Sequence, residues 1–130
     1  IEVQLAESGL AERISLAGEV ADVRPVLASA DIFALASRFE GYGMVFAEAL
    51  SHGLPIVACR TGAVPDVVPE EAGILTGADD INAFAAALGS LVADRELRQR
   101  KAEAARRAGA LLPNWDRTVD IIADRLETLP

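Results

Sequence analysis

Residues 36–50, Ala-Ser-Arg-Phe-Glu-Gly-Tyr-Gly-Met-Val-Phe-Ala-Glu-Ala-Leu, decide how this chain is to be read. They leave a nearly continuous apolar run at 31–36, which predicts a strand, and lead into 44–52, which predicts a helix ended by Gly53 and Pro55. Gly41 and Gly43 bracket Tyr42, so the joining loop can turn sharply and bring its backbone close to a ligand. The helix starts near Gly43 or Met44, where unpaired N–H groups and the positive end of the helix dipole face the loop. In an open parallel sheet, ligands bind beyond the carboxyl ends of the strands. A phosphate fits there.

The same pattern repeats outward. Short apolar runs at 13–17, 55–59 and 72–75 also predict strands. Their nearly unbroken apolar character suits a parallel sheet covered on both faces. Residues 1–10 and 26–29 predict helices between them. Asp79 or Asp80 can cap a helix through Ala93, with Ile81, Phe84, Ala85, Leu88, Leu91 and Val92 at helical spacing. Residues 95–112 predict a charged helix with Glu96 and Arg100 four apart, stopped by Pro113. Asn114 caps a last helix whose stripe is Val119, Ile122, Ala123 and Leu126. The alternation predicts one α/β domain over residues 1–130, a Rossmann-like parallel sheet flanked by helices.

Composition narrows the function. A net charge of −8 argues against nucleic acid or anionic lipid as a broad partner, while leaving room for a small anion held by backbone N–H groups. No run approaches the roughly 20 apolar residues of a membrane span. One cysteine, Cys59, forms no internal disulfide. A cytoplasmic location is expected, extended for a longer parent to the inner membrane face as a peripheral station.

Two carboxylates flank the loop. Glu40 lies at one end, and Glu48 sits one turn into the helix, where side chains lean back toward the N-terminus. Taken singly, Glu40 reads as an exposed loop charge and Glu48 as an acid favoured by the dipole by about 0.3–1 kcal/mol. Together, beside a phosphate, they need hydrogen-bond donors between them. Sugar hydroxyls supply those, because an ionised carboxylate only accepts. A sugar nucleotide has phosphate in the middle and hydroxylated rings on both sides.

The stretch from Ser37 to Ala58, with its Gly53-Leu-Pro, resembles the E-x7-E region of the GT4 family of retaining glycosyltransferases. Further matches lie at 13–20, at 30–35, at Thr61-Gly-Ala-Val-Pro-Asp-Val-Val and at Ala72-Gly-Ile-Leu, so the likeness covers nearly the whole chain. The resemblance implies the C-terminal, donor-binding half of a GT-B architecture. It implies that Glu40, the catalytic candidate, contacts hydroxyls of the transferred sugar. Backbone N–H groups of Gly41, Tyr42, Gly43, Met44 and Val45 would face that sugar and the diphosphate. Glu48 would accept from the ribose hydroxyls, and the backbone near Val20 would help hold the base. It also implies transfer with retention, no essential metal or other cofactor, and an acceptor sugar, lipid or small molecule held by an N-terminal domain outside this chain.

The family's donor domain usually begins two strand–helix units earlier, with an Arg and a Lys for the diphosphate. In this reading the sheet lacks its first two strands, its edges are open to self-association, and the 130-residue piece alone is inactive. Arg38 and Arg60 are candidates for the lost cations, though most arginines serve the surface. His52 reads as a helix-end residue and Cys59 as a small buried one. Trp115 is expected to pack the last helix down, and Arg106 and Arg107 to lie on a solvated face. A sugar-nucleotide epimerase on the same architecture and a non-catalytic binding module stay open as rivals. A dehydrogenase lacks its Gly-x-Gly-x-x-Gly here.

Overall fold

The centre of the sheet is Ile56–Cys59 (β2), apolar and buried at all four positions. In this computed structural model, which describes residues 2–112 and 115–128, β2 pairs in parallel with Phe33–Leu35 (β1) on one side. Gly73–Thr76 (β3) pairs with it, also in parallel, on the other. The sheet order is β1-β2-β3. Parallel strands covered on both faces need unbroken apolar runs, as read from the sequence.

The predicted strand at 13–17 is not part of this sheet. Those residues form a turn and irregular backbone, and all are exposed. A strand exists only through its ladder, and this segment finds no partner strand among the described residues. Residues Val64–Val67 form the short helix α4, with Pro65 in its first turn, where a missing N–H costs nothing.

The remaining helices are α1 (Glu2–Glu7), α2 (Arg24–Ala28), α3 (Met44–Ser51), α5 (Ile81–Ala93), α6 (Arg95–Leu111) and α7 (Trp115–Glu127). One core lies between the sheet, α3, α4 and α6, where Phe46, Leu50, Ile56 and Val64 are fully buried. Each such side chain contributes about 1.5–3 kcal/mol by leaving water. Phe46 meets Phe33 edge to face, with centroids 5.7 Å apart. A second core under α5 holds Val57, Ala87 and Leu91. Asp80 caps α5 by accepting from Ala83 N at 2.8 Å, and Asp94 caps α6 through Leu97 N at 2.9 Å. In α7, Val119, Ile121, Ile122 and Leu126 are exposed. The stop expected at Pro113, the cap at Asn114 and the packing of the Trp115 side chain lie outside the described residues. No described helix is long and apolar enough to cross a membrane.

Candidate functional site

Gly43 opens α3 in the left-handed conformation, with φ 67° and ψ 57°, and no side chain caps the helix. The contrast with the aspartate-capped α5 and α6 is informative. Among the described residues, none of the N–H groups of Gly41, Tyr42, Gly43, Met44 and Val45 donates to another protein group. The first protein bond of the turn is Phe46 N to Gly43 O, at 2.9 Å. A glycine is required at 43 for two reasons: the positive φ, and a Cβ that would stand 2.7 Å from the Phe46 ring. This leaves open donors at the positive end of a helix, beyond the carboxyl end of β1.

Glu40 is partly buried beside this start. Its Oε1 accepts from Ser37 Oγ at 2.7 Å, and its Oε2 lies 3.8 Å from where a Cβ on Gly43 would stand. Its backbone is gripped from the next loop: Gly62, with φ +51°, sits so close that a Cβ there would overlap the Glu40 carbonyl oxygen. Thr61 Oγ1 donates to Ser37 O at 3.5 Å in the same contact. The loops after β1 and β2 thus fix Glu40 jointly. The sequence alone assigns no role to Ser37 or Gly62. The Ser-x-x-Glu spacing was the available signal for Ser37, whereas the Gly62 contact is set by tertiary packing.

Glu48 is exposed and opens on a different wall. It lines a cavity of about 370 Å³ with Tyr42, Met44, Ala47, Ser51, Arg24 and others, and Glu40 is not among the lining residues. The two carboxylates therefore flank the helix start from separate sides. Val20 is exposed in the irregular segment before α2 and does not line this cavity.

Arg38 pairs with Asp79 at 3.2 Å and Arg60 with Glu70 at 3.7 Å. Both pairs are open to water, and such pairs are worth about 0.2–1 kcal/mol, so either arginine can be released toward an anion at small cost. His52 gives Nδ1 to the Glu48 carbonyl at 2.9 Å, a helix-end contact. Cys59 is buried. Arg107 is solvated and pairs with Glu103, but Arg106 lays its stem over Gly53, so its role is not merely that of a surface charge.

Residues 1–94 match the family described as "Glycosyl transferases group 1". The lipopolysaccharide core biosynthesis mannosyltransferase LpsB of Rhizobium meliloti is 34 % identical over 98 residues, covering 73 % of this chain and 28 % of that protein. Among solved structures, Anabaena HepE in complex with UDP superposes with a TM-score of 0.89 at 25 % identity, over 98 % of this chain and 36 % of that one. The same protein is known in complex with UDP-glucose. The C-terminal domain of LpcC, a glycosyl transferase group 1 family protein of Francisella tularensis, gives 0.73 at 27 % identity, over 82 % of this chain and 57 % of that one. The fold is that of the C-terminal Rossmann-like half of GT-B glycosyltransferases. The chain spans less than a third of the LpsB sequence it resembles.

Proposed function

This chain belongs to the glycosyl transferases of group 1, and we propose that it binds the nucleotide-diphosphate sugar for a retaining transferase of the GT4 type. The observation that carries this reading is the uncapped start of α3, where five backbone N–H groups have no protein partner among the described residues. Such a row of donors at a helix N-terminus is suited to a diphosphate.

In this reading the donor lies across the loop after β1. The diphosphate takes N–H groups between Gly41 and Val45, and the helix stabilises the charge that develops as the nucleoside diphosphate leaves. Glu40, held by Ser37 and Gly62, accepts from hydroxyls of the transferred sugar. Glu48, exposed on the cavity beside Tyr42 and Met44, accepts from the ribose. The backbone near Val20 contributes to the base. No metal ion is needed, since the helix and a basic pair from the longer parent balance the phosphates. The acceptor is held by a further domain of that parent. The UDP and UDP-glucose complexes of HepE support a nucleotide-sugar ligand for this fold.

Titration of Glu40→Ala and Glu48→Ala variants of the full-length parent with nucleoside diphosphate tests the division of roles. Glu48→Ala is expected to weaken nucleotide binding about ten-fold or more, the worth of a charged hydrogen bond. Glu40→Ala is expected to reduce sugar transfer by a similar factor with nucleotide affinity nearly unchanged. Equal losses of nucleotide affinity in the two variants would sink the assignment.

A further inference from the structure

On the other end of the sheet from the donor loop, α6 borders a cleft of about 460 Å³. One wall comes from residues that precede β1 and β2: Ala30, Asp31, His52, Gly53 and Leu54. The other is one stripe of α6, Arg95, Arg98, Gln99, Ala102 and Arg106, at spacings of three, four, seven and eleven residues. The cleft therefore carries three guanidinium groups against one lining carboxylate, Asp31, in a chain of net charge −8.

The distribution of charge along α6 is selective. Glu96 pairs with Arg100 and Glu103 with Arg107, away from the cleft. Among the described residues, no carboxylate pairs with Arg95, Arg98 or Arg106. Two of the three are also positioned by the fold. Arg98 Nη1 donates to Leu91 O at 2.7 Å and Val92 O at 3.1 Å, leaving its other N–H groups free to serve a ligand. The stem of Arg106 crosses Gly53, whose φ is +70° and where any Cβ would collide with Arg106 Cγ. Arg95 stands at the first position of α6, the end of a helix dipole that repels a cation and attracts an anion.

We propose that this cleft is a second anion site, for a phosphate ester held by Arg95, Arg98 and Arg106 with the Gln99 amide. Guanidinium forks match the oxygens of a phosphate in paired hydrogen bonds, and several together prefer a multiply charged group. The volume exceeds what a bare phosphate needs and lies within the usual range of small-molecule sites. The phosphate would therefore bring an organic group with it. A soluble phosphate ester and a phospholipid headgroup share this chemistry.

The test titrates the nitrogen-15-labelled 130-residue chain with inorganic phosphate at constant ionic strength. Saturable amide shifts are expected at Asp31, Gly53 and Gln99. An Arg95→Gln/Arg106→Gln variant should weaken them about ten-fold or more. Arg95→Gln alone, which removes no hydrogen bond seen among the described residues, should lose affinity in the same sense if the double variant folds poorly. Arg100→Gln removes the same charge from the paired face and should leave binding unchanged. Shifts that are absent, that concentrate at Gly41 to Val45, or that fall equally with Arg100→Gln would overturn the proposal. A parallel arm sediments the chain with phosphatidylcholine vesicles, with and without phosphatidic acid. Binding that needs both phosphatidic acid and Arg95 assigns a lipid headgroup. Phosphate binding without vesicle binding assigns a soluble ester.

Discussion

Gly62 decides where Glu40 stands, because its α-carbon side is filled by the Glu40 carbonyl. Gly62→Ala adds a methyl where the backbone is left-handed, at about 1–2 kcal/mol, and an overlap with main chain that costs about 1–3 kcal/mol more. The loop after β1 should shift to relieve it. The expected outcome is a lower midpoint in urea unfolding, together with a larger loss of sugar transfer in the full-length parent than of nucleotide affinity. Nucleotide affinity falling as far as transfer would place the Gly62 contact elsewhere. Ser37→Ala is the gentler version: it removes one hydrogen bond from Glu40 and should cost about 0.5–1.5 kcal/mol with a smaller effect on transfer. These two residues also mark how far the sequence reaches. The glycine turn, the helix start and the two carboxylates were readable because each depends on residue type and local spacing. The grip on Glu40 was not, because it joins residues 22 to 24 apart, and only the folded sheet brings those loops together.

Among the described residues, one charged group of α6, Lys101, hydrogen-bonds to the sheet. Lys101 Nζ donates to Glu70 O at 2.8 Å and to Gly73 O at 2.9 Å, satisfying carbonyls where the chain enters β3. Lys101→Met keeps much of the stem and removes both bonds, and it should destabilise the chain by about 1–3 kcal/mol, read from urea unfolding. Burial pulls the Lys101 ammonium below its ordinary pKa, against the opposing pull of Glu71 and Glu70. A lysine whose folded value is depressed binds fewer protons folded than unfolded over the window between the two values. Its contribution to stability therefore rises as pH climbs through that window, just beneath the ordinary lysine range. The stability gap between wild type and Lys101→Met should widen there, and a gap that narrows with rising pH would contradict the assignment. At this scale most elements followed from the sequence, since apolar runs, Asp80 and Asp94 are local signals. The exception is 13–17. Its residues have the composition of a strand, but pairing is a property of two segments, and the second is not among the described residues.

For the whole molecule, the question is what the 130-residue chain does alone in solution. The outer edge of β1 has no strand beside it among the described residues, but β1 is only three residues long, so edge pairing by itself contributes little. The apolar side chains of the irregular segment and α2 matter more. Ile14, Leu16, Val20, Val23 and Val26 are 40–48 % exposed. Covering the exposed half of each would regain roughly 1 kcal/mol apiece, from the 1.5–3 kcal/mol of full burial. The sum is comparable with the low end of the 4–15 kcal/mol that association costs in lost motion. Association should accordingly be weak and reversible rather than a tight dimer. Sedimentation velocity across a concentration series should show an average mass that climbs above the monomer, and an Ile14→Glu/Val26→Glu variant should hold the chain monomeric with its unfolding midpoint little changed. A wild-type chain that stays monodisperse at every concentration, with sharp cooperative unfolding, would mean that this surface is content in water. The exposed segment would then have to be explained by its own sequence rather than by a partner.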